Sequence, residues 1–574
     1  MQRLWWTAGV VAVACRPVAD KGGPSMSDLG HTGSEAPPVD TTDSGDSSEP
    51  AVDVDVPEPN IDATLATPEA SSRRCENPEE RELEGPGRWV EDPDSLGALP
   101  DVDLDTLPGA TMSIALGDLD NDGILDMAVG HPTGVRLFIG DGDASFSPAP
   151  YAWPTAPEAG ALISGVLLVD LDDDGDLDVL VTHRTRPPLR YTNLGDGHFE
   201  VHDDLGPAAG RTAHMGPAVA DIDGDGELEL VVGGNQARRF ISHDETPPLP
   251  GALYELAGGR LAESTVELPE RAHDGYTFVT TLLDFDDDGH LDAYFANDHG
   301  SAAPGNAVLW GGADSPSGFA ADDRHSGLEV AMASMGTGVG DIDEDGLPDL
   351  VISNWGAPAM LLSGGGAWYD AALSRGVVDT PSASVGWGTD VADIDNDGDL
   401  DIYMVFGHIP GADDPARENA RRQPDKLFLN DGTGHFEDVA PHWLLDRWDL
   451  GRVAMLADLD NDGFLDAVLA NQIKPPRVWR ARCDGSAWLT VHLEQPAPNS
   501  GAIGARVQVV VDGRVHTRWL TAGGQSFGAG HPHRLHFGLG EHDRVDRIVV
   551  TWPDGSVSEH TDIATRRAVH IERE

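Results

Sequence analysis

"DLDNDGILD", residues 118–126, places Asp118, Asp120 and Asp122 at positions one, three and five of a nine-residue stretch, with Gly123 at six and Asp126 at nine. No core buries so many like charges, so the stretch reads as a loop that holds something. Alternating carboxylates on a tight turn can supply the roughly six to eight oxygens, at about 2.3–2.6 Å, that a hard cation such as calcium takes. Glycine at six permits the positive φ that folds the loop back on the ion. Position seven needs to offer only its backbone, so its side chain is free to vary.

The phrase recurs six times. The copies are "DLDDDGDLD" (Asp170, Asp172, Asp174, Asp178), "DIDGDGELE" (Asp221, Asp223, Asp225, Glu229) and "DFDDDGHLD" (Asp284, Asp286, Asp288, Asp292). Then come "DIDEDGLPD" (Asp341, Asp343, Asp345, Asp349), "DIDNDGDLD" (Asp393, Asp395, Asp397, Asp401) and "DLDNDGFLD" (Asp458, Asp460, Asp462, Asp466). Position seven runs through Ile124, Asp176, Glu227, His290, Leu347, Asp399 and Phe464, a spread that only a backbone ligand tolerates. A solvated acidic turn would account for one copy but not for seven. The loops are not EF-hands, which end on a glutamate at position twelve between two helices. Here the flanks are short β-type stretches, such as "MSIALG" before the first loop and "DMAVG" after it, so each loop closes a hairpin.

First aspartates are spaced by 52, 51, 63, 57, 52 and 65 residues, and each unit carries a third strand and often a fourth, clearest in "DKLFLNDGTGHFEDVA" (425–440). Four short strands per unit at this period read as a propeller blade. The expected fold is therefore all-β: a seven-bladed β-propeller with calcium in its hairpin loops, about seven structural sites in all. With 68 glycines and 41 prolines, long helices have little room.

The repeats resemble the FG-GAP and VCBS blades of integrin α-subunit propellers, which carry calcium in the first hairpin loop. After them, "AWLTVHLEQPAPNSGAIGARVQVVVDG", "HRLHFGLG" (533–540) and "VDRIVVTWPDGS" (545–556) resemble an ASPIC/UnbV domain. The whole order, over roughly residues 96–574, is similar to bacterial relatives of the cartilage acidic protein family. No cysteine-rich EGF-like module, which animal members append, is evident. The resemblance implies an exported calcium-binding propeller followed by a small β-rich domain, and it brings no catalytic residues.

These signals divide the chain into a signal peptide (1–14), a tether (15–74), the propeller (75–483) and an ASPIC/UnbV-like domain (484–574). "MQRLWWTAGVVAVAC" has an apolar run too short to span a membrane and reads as an export signal. "AVAC" resembles a lipobox with Cys15 as the lipidated residue; plain secretion is the competing reading. Arg16 rather than aspartate after it favours, by resemblance to other lipoproteins, the outer membrane. The expected location is the outer membrane or cell surface, or otherwise secreted or periplasmic. Residues 16–74 are acidic and rich in Ser, Thr and Pro, with too few large apolar groups to order themselves. As a flexible coil the tether reaches roughly 40–50 Å.

The net charge of −62 excludes nucleic acid as a partner of the whole surface, and contact with membrane is expected only through the lipid. If Cys15 carries lipid, Cys75 and Cys483 remain as a pair in an oxidising compartment; a bridge clasping the ring and two free thiols are both open.

Enzyme motifs are weak. "GQSFG" (524–528) matches the nucleophile-elbow pattern with Ser526, but that pattern carries meaning on a strand-to-helix turn, and its flanks here are β-type. "HPHRLH" offers His531, His533 and His536 at a spacing that zinc could use; strand packing is the simpler reading for His536. Near the end of each second strand stands one polar residue: His131, His183, Asn235, Asn297, Asn354, His408 and Asn471. These are read either as a ligand ring at the channel mouth or as strand-end caps. The expected function is binding or adhesion toward a glycan or protein ligand. The alternative is a hydrolase or lyase with its site at the mouth of the channel.

Overall fold

The computed structural model describes most of residues 56–66, residues 88–92, and 113–573 apart from 132–133, 151–162, 196, 206–213, 236–247, 299–304, 313–316, 320–325, 365, 379–383, 409–421, 446–447 and 473. The signal peptide, Cys15, Cys75 and nearly all of the tether lie outside the described residues. What is described is all-β, with a single four-residue α-helix at Ala372–Arg375.

Seven antiparallel sheets follow one another, each opening with a hairpin whose turn is one of the acidic loops. The first strands are Ser113–Gly117, Ile163–Val169, His214–Ala220, Tyr276–Leu283, Ser334–Gly340, Gly386–Ala392 and Gly451–Ala457. The second strands start at position nine of each loop: Asp126–His131, Asp178–His183, Glu229–Gly234, Asp292–Asp298, Asp349–Asn354, Asp401–Phe406 and Asp466–Asn471. First strands are buried along their length, Ala392 at the end of the sixth excepted, because each lies against the next sheet. The order closes on itself: Ile114, Met127 and Val129 of the first sheet share a core with Val453, Met455 and Val468 of the seventh.

The outermost strand of the seventh sheet comes from the other end of the repeats. Trp89–Asp92 pairs antiparallel with residues 478–481, Trp89 opposite Ala481. Trp89 is buried edge-on against Tyr403 and Trp443 and donates Nε1–H to Leu465 O at 2.8 Å. An indole with its donor satisfied anchors a four-residue strand that would otherwise be a frayed edge.

Beyond Ala487 the chain forms two four-stranded sheets around a separate apolar core. One sheet contains Trp488–Glu494, Leu535–Gly538 and Arg567–Arg573; the other contains Arg506–Val511, Arg514–Trp519, Arg544–Thr551 and Val557–Ala564. The fourth strand of the first sheet corrects a sequence expectation. Ala63–Ala66, assigned above to the tether, pairs with residues 570–573, and Ile61, Ala63 and Leu65 pack on this core. The short alternation in "IDATLA" was hidden inside an acidic, proline-flanked context.

Between the two sheets, residues 520–534 leave the C-terminal domain and enter the ring of first strands. Ala522–Gly523 pairs with Ala218 and Val219 of the third sheet, and Ala529–Gly530 runs parallel to Ile114 and Ala115 of the first. Phe527 packs between Phe278 and Trp387, with centroids 5.6 and 5.0 Å away. The first strands thus surround a segment of the same chain.

Candidate cation-binding loops and their cover

Each loop is held by its own carboxylates. Asp118 Oδ1 accepts the N–H of Asp122 (3.0 Å) and Oδ2 that of Gly123 (2.8 Å), so position one spans the turn. The same pair recurs at Asp284, Asp393 and Asp458. Position five accepts the N–H of position seven, as from Ile124 to Asp122 at 2.8 Å, which leaves the side chain at seven unconstrained. Glycine at six has φ between 85° and 103° in all seven loops, as the sequence reading requires.

Position nine has a second duty that spacing did not reveal. Asp126 accepts the N–H of Leu119 on one oxygen and that of Gly140, from the third strand, on the other, both at 2.8 Å. Asp178, Asp292, Asp349, Asp401 and Asp466 repeat this, so in these six hairpins the carboxylate ties the loop to the third strand or the residues just after it. An oxygen that takes one N–H keeps a lone pair for a cation.

Ligand atoms of Asp118, Asp120 and Asp122 lie within 4.8 Å of one another, as do those of Asp170, Asp172 and Asp174, and of Asp221, Asp223 and Asp225. In the fourth and fifth loops position nine joins the cluster: Asp284, Asp286 and Asp292, then Asp341, Asp343 and Asp349. At position three, Oδ1 of Asp172, Asp343 and Asp395 is buried with no protein donor. Burial pushes Asp126 up to about 7, Asp178 and Asp292 to about 8 and Glu229 to about 9, with neighbouring carboxylates adding to the rise. Donorless oxygens in an all-oxygen cluster fit a hard divalent cation, and such an ion reverses the resistance to ionisation.

Position four was not singled out in the sequence, yet it carries the interface. Asn121, Asp173, Gly224, Asp287, Glu344, Asn396 and Asn461 all adopt φ of 56–76°. Asn, Asp and Gly enter that region at least cost; Glu344 is the exception. Five of them touch the C-terminal domain. Asp173 Oδ1 accepts the N–H of Ser500 (2.8 Å), Asp287 pairs with Arg506 (2.7 Å) and Glu344 with Arg514 (3.2 Å). Asn396 meets His536 (2.7 Å) and Asn461 accepts from Arg534 (2.9 Å). A side chain at Gly463 would collide with Trp488, its Cβ 1.8 Å from the indole. The signal available in sequence was only a shared tolerance for left-handed backbone.

The seven polar strand-end residues do not form an open ring. They sit at or just past the ends of second strands, whereas first strands surround the centre. Asn235 Nδ2 donates to Thr277 O (2.7 Å) in the next sheet, and Asn297 donates to Gly305 O (2.9 Å) while accepting from Thr277 Oγ1 (2.8 Å). Asn354 donates to Ala357 O (2.8 Å) and accepts from Ala333 N–H (3.0 Å). His131, His183 and Asn471 are buried, and His408 stands edge-on to Trp355. The amides cap strand ends, the second of the two sequence readings.

Ser526 has the left-handed φ of an elbow residue (55°) but is 1% exposed, and its Oγ donates to Ala454 O at 2.8 Å. It fixes the inserted segment rather than presenting a nucleophile. His531 Nε2 lies 3.0 Å from Asp390 Oδ2, anchoring the same segment to the sixth sheet, and His536 is spent on Asn396. His533 is pushed down to about 4 by burial. Cys483 is disulfide-bonded and its Sγ stands 3.1 Å from Asp462 Oδ2.

Comparison with known proteins accords with this layout. FG-GAP-like repeats match residues 118–181, 170–232, 341–404 and 417–469, and the ASPIC and UnbV family model matches 495–574. Cartilage acidic protein 1 of Mus musculus is 24% identical over 487 residues, covering 68% of this chain and 71% of its own. The Homo sapiens protein is 24% identical over 478 residues, covering 68% and 69%. The chain is a distant homologue of cartilage acidic protein 1. Among solved structures, an Agrocybe aegerita lectin recognising non-reducing terminal N-acetylglucosamine overlaps 58% of this chain and 79% of its own at 18% identity and TM-score 0.38. AofleA from Arthrobotrys oligospora overlaps 58% and 85% at 12% identity and TM-score 0.33. Overlaps this partial define no shared site.

Proposed function

We propose that the seven sheets are the blades of a calcium-stabilised β-propeller, exported and held at a cell surface by lipid on Cys15, that works as a binding or adhesion module for glycan or protein ligands. The observation that carries the calcium reading is the buried, donorless Oδ1 of Asp172, Asp343 and Asp395 inside clusters of carboxylates. Without a cation or a proton such oxygens carry an uncompensated cost of burial. Positions one, three, five and nine of each loop would supply the ligands, with position seven contributing its carbonyl, and the ion would serve structure.

Against the enzyme alternative stands the inserted segment: the centre of the ring is taken by Gly524–Gly528, and its one hydroxyl nucleophile is bonded to a backbone carbonyl. Binding is favoured by the ends of the second strands away from the loops. There Trp355 is 44% exposed beside His408, an amphipathic ring of the kind that glycans and peptides pack on.

The test has two arms. Thermal melting of the exported protein in calcium and in chelator should show a large loss of stability on chelation; equal melting sinks the calcium reading. A glycan and protein array probed with and without calcium should give calcium-dependent retention of a ligand class. Turnover of a glycan substrate in place of retention would favour the hydrolase or lyase.

A further inference from the structure

The two halves of the molecule differ sharply in charge. Residues 484–574 hold nine arginines against eleven acids, leaving 28 basic residues against 88 acids in residues 1–483, from totals of 37 and 99. The arginines nearest the propeller point at the loops. Arg506 pairs with Asp287 of the fourth loop at 2.7 Å. Arg514 joins two loops, reaching Glu344 of the fifth and Asp399 of the sixth, the latter at 2.7 Å. Arg534 joins the seventh and the first, donating to Asn461 Oδ1 and Gly123 O, both at 2.9 Å, beside Asp118 and Asp458. Arg518 is part-buried beside Asp341 and Asp393 of the fifth and sixth loops.

We propose that these C-terminal arginines are the counter-ions of the loop face when calcium is scarce, bridging neighbouring loops and holding the domain docked until divalent ions take over the neutralisation. The proposal rests on the calcium reading above. Its logic is electrostatic. With the loops empty, up to four carboxylates per loop repel one another, and a guanidinium wedged between two loops offsets part of that repulsion. With the loops filled, the same guanidinium faces a divalent cation within several Å, and its contribution shrinks. Binding of calcium and the charge of the domain are therefore linked, and by reciprocity the arginines weaken calcium affinity while stabilising the metal-poor fold.

The test uses the full chain with Arg514→Met and Arg534→Met together, which keep most of the apolar stems and remove the charges. Arg544→Met, whose partner Asp562 is far from any loop in sequence and highly exposed, is the control. Melting is followed in calcium and in chelator, and calcium is titrated against a competing chelator dye. The double variant should lose more stability in chelator than in calcium, and its calcium midpoint should tighten by roughly three- to tenfold. The control should shift neither. If the double variant fails to fold even in calcium, Arg514→Met alone, at a half-exposed position, is read in the same way. Equal losses in both conditions, or an unchanged or weakened midpoint, overturn the proposal while leaving the calcium reading intact. A wild type indifferent to calcium overturns both.

Discussion

Asp395 stands at position three of the sixth loop with one oxygen near Arg88 and the other buried without a donor. Asp395→Ala should therefore lower the melting temperature in calcium more than in chelator, because the residue does little for the metal-free loop. Proton competition gives an independent check. Asp126, Asp178, Asp292 and Glu229 are raised to about 7, 8, 8 and 9 in the metal-free fold, above the roughly 4 expected in the unfolded chain. A group whose folded pKa is raised favours folding fully below its unfolded pKa and loses that contribution as pH rises through the folded value. Dialysed, metal-free protein should thus melt lower at pH 9 than at pH 5, while the gain from added calcium grows over the same window as protons leave the ligands. A metal-free melting temperature that rises toward pH 9 would contradict this. Positions one, three, five and six were legible in the sequence because seven copies fix them. Position four was not, since Asn, Asp, Gly and Glu share no chemistry there, only a backbone conformation.

Among the elements, the strands announced themselves through the hairpins that the loops close, and the sheets follow the expected order. The inserted segment did not. "TAGGQSFGAGH" has no alternation and four glycines, so it reads as turn or elbow, and nothing local says that its partners are Ala218, Thr337 and Ile114, hundreds of residues away. Phe527 is 1% exposed among Phe278 and Trp387, so Phe527→Ala should cost about 3–5 kcal/mol in a denaturant melt. Ser526→Ala removes one hydrogen bond to Ala454 O and should cost only about 1–2 kcal/mol. A loss for Ser526→Ala as large as that for Phe527→Ala would mean that the hydroxyl does more than anchor. The polar strand-end residues stayed open between ring and caps for a geometric reason: recurrence at nearly one offset places them at the ends of second strands, and only first strands surround the centre.

For the molecule as a whole, non-reducing peptide mapping should recover Cys483 joined to Cys75 if lipid occupies Cys15, with quantitative alkylation of both thiols as the contrary result. Closing so long a loop is worth up to about 5 kcal/mol in the chain-entropy model. The strand Trp89–Asp92 carries a consequence for the order of events. It is made before every first strand of the seven sheets but completes the seventh sheet only after residue 481 exists, and the segment that fills the centre emerges later still. A chain threading outward from its N-terminus must therefore keep this strand unpaired while more than three hundred residues follow. The ring's apolar lining waits for an occupant encoded at the far end. Such long-range closure is slow, and a nonsense mutation between residues 482 and 520 would leave a barrel without its bung: seven sheets around a hollow, open to whatever apolar peptide reaches it first.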